Sequence, residues 1–164
     1  MRAAFDAGFA APPAAAARAI ERLVVVVAGG DRLALRLREL SGLRRLGRLS
    51  PLPGAASELL GLTGIRGRLT PVFSLARLLG LGADEPRWLA LPRADQPLGL
   101  AFGAFEGYVE VAAGEIEPGS AGAAGASSRG QVVRLRGEHV SILDVASIVS
   151  GIERRAARAT VKER

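Results

Sequence analysis

The chain has 164 residues, a formal charge of +6, 49% hydrophobic and 23% charged residues, no cysteine and one histidine. A chain of this size forms one domain and buries about two-thirds of the surface its unfolded form exposes. Without thiols or clustered imidazoles, disulfide frameworks, thiolate nucleophiles and Cys/His zinc sites are excluded, and nothing in the composition calls for an oxidising compartment.

The charge is partitioned along the chain. Residues 1–82 carry twelve arginines against five acids, residues 83–152 five against nine, and the segment from Glu153 five bases against two. Nucleic-acid binders gather bases on one face that neutralises phosphates. Here many arginines stand singly between apolar residues, and an aromatic content of 4% argues against a base-stacking platform. A basic β-barrel binding nucleic acid is therefore the alternative reading, and no nucleic-acid partner is expected. The longest strongly apolar run is Leu23–Ala28, far short of the roughly 18 residues of a membrane span. Direct membrane insertion is not expected, and a cytoplasmic location is the default.

In chain order, residues 1–20 read as an Ala/Pro-rich arm outside the core. Leu23 to Val27 is a β-branched strand ending at Gly29-Gly30-Asp31, and Leu33, Leu35 and Leu37 alternate with Ala34, Arg36 and Arg38, which predicts a hairpin. Pro51 and Pro53-Gly54 punctuate the chain before a helical turn at Ser57–Leu60. Gly61 to Ile65 leads into a turn at Arg66-Gly67-Arg68, and Leu69 to Phe73 is a strand whose Pro71 demands an edge or bulge. Ser74 caps a short helix, Leu75 to Leu79, closed by Gly80. Trp88 to Leu91 is a strand, Pro92 to Pro97 a turn, and Leu98, Leu100 and Phe102 alternate. Tyr108, Val109 and Val111 follow, then a small-residue loop from Ser120 to Gly130. Strands Gln131–Leu135 and Val140–Leu143 flank a turn at Arg136-Gly137-Glu138, Asp144 caps a last short helix over Val145–Val149, and 153–164 is a basic tail.

Two of these stretches match at an offset of 70 residues. Arg66-Gly67, a strand, Ser74 and Leu75-Ala76-Arg77-Leu78-Leu79 lie over Arg136-Gly137, a strand, Asp144 and Val145-Ala146-Ser147-Ile148-Val149. Apolar positions coincide at Val72/Ile142, Phe73/Leu143, Leu78/Ile148 and Leu79/Val149. Two copies are too few for a solenoid. They predict a duplicated, mainly β fold of two small barrels with short helices, because longer helices would separate the strands of a parallel α/β sheet.

The chemistry-bearing residues assemble nothing catalytic. His139 and Ser141 share one face of a strand while Asp144 falls on the other, so nucleophile, base and orienter do not converge. Glu106, Glu110, Glu115 and Glu117 lack metal-loop spacing and read as a solvated edge. Gly29-Gly30 has no following Gly-Lys-Ser/Thr to make a phosphate loop. No catalytic, cofactor or metal site is expected. Arg66 reads either as a solvated turn residue or as a guanidinium fixed for a partner. The Leu-rich stretch from Leu40 to Leu62 is either core or the wall of a groove.

Ser50-Pro51-Leu52-Pro53-Gly54, Gly61-Leu62-Thr63-Gly64-Ile65-Arg66-Gly67 and Pro71-Val72-Phe73-Ser74-Leu75 follow one another in an ordered series. With Val109-Glu110-Val111, Glu115-Ile116-Glu117-Pro118 and Leu143-Asp144-Val145, this series resembles the CheW-like domain of chemotaxis coupling proteins over about residues 21–152. The resemblance implies two five-stranded, SH3-like β-barrels with a hydrophobic groove between them, divided near residue 82 with strands free to exchange across that boundary. It implies a non-enzymatic adaptor without cofactor, joining the helical tip of methyl-accepting chemoreceptors to the regulatory domain of a CheA-type histidine kinase, and so associated with receptor arrays. A related adaptor of a type IV pilus or other regulatory pathway is the neighbouring alternative. By position, Arg66 and Gly67 fall on the receptor-facing turn, with Leu40, Leu62, Ile65 and Val72 near the contact surfaces. The chain departs from the family pattern at Gly42, Gly64, Ser74 and Gly103. Gly42 stands where the family has a Glu, so a carboxylate partner for Arg66 would have to come from Glu39 or Glu58.

Overall fold

The computed structural model describes residues 18–119 and 129–162. Most of the predicted arm and of the Ser120–Gly130 loop lies outside the described residues. Among these residues eleven strands form two sheets. β1 (Ile20–Ala28), β2 (Asp31–Arg36), β8 (Ala104–Ala112), β9 (Ile116–Pro118), β10 (Arg129–Leu135) and β11 (Glu138–Leu143) make a six-stranded sheet in the order β8-β1-β2-β11-β10-β9. β3 (Leu40–Arg45), β4 (Leu59–Ile65), β5 (Arg68–Ser74), β6 (Trp88–Pro92) and β7 (Gly99–Phe102) make a five-stranded sheet in the order β3-β6-β7-β5-β4. Among the described residues the α-helical elements that pack on these sheets are α1 (Leu75–Leu78) and α2 (Val145–Lys162).

The repeat read from sequence is a repeat of structure. In each sheet a two-strand hairpin, β1-β2 or β6-β7, pairs in parallel with the last strand before a helix, β2 with β11 and β7 with β5. At the offset of 70 the parallel registers coincide, Val72 opposite Gly99 matching Ile142 opposite Ala34. Even the small β9 has its counterpart, the isolated bridge of Ser50 to Leu62. The hairpins are exchanged: β1-β2 from the first half completes the sheet built by β8–β11, and β6-β7 completes the one built by β3–β5.

Two-residue turns fix these registers. Gly29-Gly30, Arg66-Gly67 and Arg136-Gly137 all have positive φ at both positions, the requirement of a type I′ turn, whose twist matches that of the flanking strands. Gly29 admits no side chain, since a Cβ there would stand 2.6 Å from the Gly82 carbonyl oxygen, and its N–H donates to Asp84 Oδ2 at 3.0 Å. The linker between the halves is thereby pinned to the first hairpin.

Among the described residues three apolar clusters result. Leu23, Ala34, Val133, Val140 and Ile142 fill the six-stranded sheet, and Ile65, Val72, Leu89 and Ala101 the five-stranded one. The largest lies between the sheets, where Val24, Val26, Leu35, Leu100 and Phe102 meet Leu75 of α1 and Ile148 of α2. β7 therefore has apolar neighbours on both faces and is buried throughout, which replaces the half-buried alternation read at Leu98, Leu100 and Phe102.

Further corrections concern element ends. Leu37 belongs to a 3-10 turn, Leu37–Glu39, rather than to β2, because the chain crosses there from one sheet to the other. Leu59 and Leu60 open β4 instead of closing a helical turn, pairing with β5 across a bulge. The last helix does not stop at Val149 but runs 18 residues to Lys162, taking in most of the segment read as a tail. Asp144 caps it as predicted, its carboxylate accepting from the Ser147 N–H at 3.2 Å and from the hydroxyl at 2.8 Å. The equivalent Ser74 Oγ accepts from the Arg77 N–H at 3.2 Å on α1.

Candidate functional site

The tip of the β4-β5 hairpin projects Arg66 into solvent with a φ of 51°. A left-handed backbone at a residue carrying a Cβ costs roughly 1–2 kcal/mol, and Gly67 at φ 75° completes the turn. Among the described residues the Arg66 guanidinium has no hydrogen-bond or ion-pair partner. Neither carboxylate expected to serve it does so. Glu39 Oε2 accepts from the Val145 N–H at 3.2 Å, a second cap on α2, while Glu58 lies 3.4 Å from Arg155.

Grooves open on both sides of Ile65. One, of about 180 Å³, is lined by Ile65, Arg66, Arg68, Thr70, Leu91 and Asp95 among others. The second, of about 260 Å³, is lined by Arg44, Arg48, Thr63, Gly64, Ile65 and Leu89 with Gly47. Leu69, opposite Gly64 in the hairpin, is 71% exposed. An apolar side chain thus stands uncovered on a hairpin whose flanking grooves are lined by four arginines, none of which forms an ion pair among the described residues. Arg44, Arg48, Arg68 and Leu69 were not singled out from sequence. The signal available was the strand period, which sends Gly64 and Leu69 to one face.

The other predicted positions divide. Leu62 is half-buried on that outer face, bridged to Ser50 by reciprocal backbone hydrogen bonds of 2.8 and 2.9 Å. Ile65 and Val72 meet inside the five-stranded sheet, Val72 with no exposed surface. Leu40 is buried in the cluster between the sheets. The structure brings Arg66, Gly67, Ile65, Leu62 and Val72 onto one hairpin, Ile65 and Val72 on its buried face, with Leu40 apart at the start of β3.

Between the sheets a shallow groove of about 450 Å³ runs past Ile20, Arg22, Leu37, Arg38, Arg93 and Glu110. Nearby, an aromatic ladder joins the two sheets. Arg45 stacks over Trp88 at 5.1 Å, Trp88 meets Phe105 at 5.3 Å and Phe105 meets Tyr108 at 5.2 Å. A bulge in the β1-β8 pairing, at Gly107, places Phe105 and Tyr108 on the same face. Tyr108 remains 60% exposed.

The equivalent tip on the six-stranded sheet has the opposite surroundings. Arg32 holds Glu106 at 2.5 Å and also pairs with Glu138. The Arg32 guanidinium keeps the Glu106 carboxyl below the usual carboxylate range, with a smaller contribution from Arg136. Among the described residues no group of carboxylates and imidazoles is gathered to hold a metal, and no helix is long and apolar enough to cross a membrane.

Comparison with known proteins agrees with this geometry. No curated protein sequence matches the chain. The fold is similar to the crystal structure of the scaffolding protein TtCheW from Thermoanaerobacter tengcongensis, with a TM-score of 0.70 at 15% identity, covering 77% of this chain and 90% of that one. A family model, the CheW-like domain, matches residues 22–153. With the ordered motifs, the paired sheets and that match over most of its length, the chain belongs to the CheW-like domain family.

Proposed function

We propose that this chain is a non-enzymatic adaptor of bacterial chemotaxis signalling, coupling the helical tip of methyl-accepting chemoreceptors to the regulatory domain of a CheA-type histidine kinase. The observation that carries the proposal is Arg66: a guanidinium held in left-handed backbone, unpaired among the described residues and lining one of the two grooves that flank Ile65. Strained backbone persists where the surrounding structure holds it in place, and it clusters at functional positions. An unpaired Arg beside exposed Leu69 has the mixture of charge and apolar surface found in protein-binding hot spots. In this reading Arg66, Gly67 and Leu62 face the receptor helix, while Ile65, Val72 and Leu40 hold the surface in shape from beneath. The groove past Leu37 and Arg93 extends the contact.

The test is binding of the purified chain to a receptor-tip fragment and to the kinase regulatory domain. Both should bind. Arg66→Glu should weaken the receptor complex about tenfold or more, equivalent to about 1.4 kcal/mol, with the melting temperature nearly unchanged. Loss of neither complex, or a large loss of stability, removes Arg66 from the interface. A folded protein that binds neither partner removes the adaptor assignment.

A further inference from the structure

A second charged surface lies at the far end of the five-stranded sheet. β5 has seven residues, so at about 3.3 Å per residue the Arg66 tip and the α1 end of the strand stand about 20 Å apart. There α1 and α2 enclose a cleft of about 270 Å³. Its floor is Leu79, Ile148 and Ile152, all nearly buried, and its rim is Arg154, Arg155 and Arg158. Arg155 is engaged by Glu58 at 3.4 Å. Arg154 and Arg158 are exposed and have no ion-pair or hydrogen-bond partner among the described residues. Glu153, also exposed, is the one acid among residues 153–158.

Gly151 supplies an independent observation. It lies inside α2 and lines the same cleft. Glycine in a helix interior costs stability relative to alanine because of the freedom it loses on folding. Nothing among the described residues requires it here, since a Cβ at Gly151 would meet no atom of theirs within 4 Å and its φ is not positive. Its effect is to leave open space at the cleft floor, enough for another backbone to approach α2 closely.

We propose that this cleft docks an acidic amphipathic helix of a partner protein. Ser147, Gly151, Arg154, Arg155 and Arg158 recur at spacings of three or four residues, so they lie as one track along α2. A helix laid along that track sets its small or apolar face over Ser147 and Gly151, in the manner of helix-in-groove recognition. Its carboxylates, four residues apart, reach the two free guanidiniums, which bind carboxylates through paired N–H donors. The surface is distinct from the receptor-facing tip, and the inference stands or falls independently of that assignment.

The experiment uses the full chain and a fluorescent synthetic helix of about 18 residues with Glu on one face and Leu on the other, read by anisotropy. A matched peptide with Gln for Glu serves as control. The acidic peptide should bind, and the Gln peptide should bind at least tenfold more weakly. Arg154→Glu combined with Arg158→Glu should weaken binding at least tenfold, and Gly151→Leu should abolish it. Gly151→Ala guards against misfolding, since it should melt at or above the parent temperature while binding less tightly. Arg66→Glu should leave this binding unchanged. No binding, equal binding of the Gln peptide, or binding unaffected by Gly151→Leu would overturn the proposal. So would capture by phosphatidylglycerol vesicles or duplex DNA in preference to the peptide.

Discussion

Arg66 and Arg136 allow the backbone and side-chain roles of a turn residue to be separated. Both occupy left-handed backbone, at φ 51° and 50°, before a glycine in a two-residue hairpin. Replacing Arg66 by Gly relieves a conformational cost of roughly 1–2 kcal/mol. The greater freedom of glycine in the unfolded chain takes back about 0.5–1 kcal/mol. No ion pair or hydrogen bond of Arg66 among the described residues is lost, so the net expectation is a gain of about 0.5 kcal/mol. For a chain of this size about 1 kcal/mol moves the melting temperature by 2–4 °C, and Arg66→Gly should melt about 1–2 °C higher. Arg136→Gly gains the same relief but loses its attraction to Glu106, and should melt at or near the parent temperature. Calorimetry of both variants, paired with receptor-tip binding, decides the matter. Arg66→Gly should be more stable and bind more weakly, whereas Arg136→Gly should bind normally. If Arg66→Gly melts several degrees lower, the side chain stabilises the hairpin and its strain is not maintained for binding.

Two other outcomes follow from the polar contacts. Because Arg32 depresses the folded-state pKa of Glu106, the pair contributes stability above the unfolded carboxylate range and loses it as pH falls through the lower, folded value. A melting-temperature profile from neutral to acid pH should therefore show a flatter acid limb in Glu106→Gln than in the parent. Glu39→Ala removes a part-buried acceptor from the N-terminus of α2 and should cost about 1 kcal/mol, a fall of about 2–4 °C in the melting temperature. An unchanged midpoint would show that Asp144 alone suffices as the cap.

The features legible in the sequence were those with local causes. The Gly-containing hairpin turns, the caps at Ser74 and Asp144 and the offset repeat are each written in a few adjacent residues, and the structure reproduces them. What escaped was set by distant neighbours. β7 looked half-buried because four residues cannot show that a second sheet covers their other face. α2 continues beyond Val149 because the Ala- and Arg-rich residues after it sustain the helix. At the candidate site Arg66 and Gly67 stood out through their turn. Val72 and Leu40 show the converse, since an apolar residue near a motif reads alike whether it faces a partner or the core.

The exchange of hairpins bears on how an adaptor with separated surfaces holds together. Neither half of the chain completes a sheet by itself: β1 and β2 are central to the six-stranded sheet, and β7 is central to the five-stranded one. Peeling one sheet from the other would leave both short of strands and expose the cluster from Val24 to Ile152 that lies between them. The ladder from Arg45 to Tyr108 and the Asp84 contact to Gly29 tie the same seam at two further points. Hinges occur where a few residues absorb a rotation between independently packed bodies, and here the shared core and exchanged strands leave no such independence. β5 runs directly from the Arg66 tip to Ser74 and α1 within that shared core. The charge partition gives the fold distinguishable ends, a basic tip unpaired among the described residues on one sheet and the Arg32–Glu106–Glu138 network beside the equivalent tip on the other. Two tips alike in backbone but opposite in surroundings can select different partners, because like-charge encounters are penalised at each.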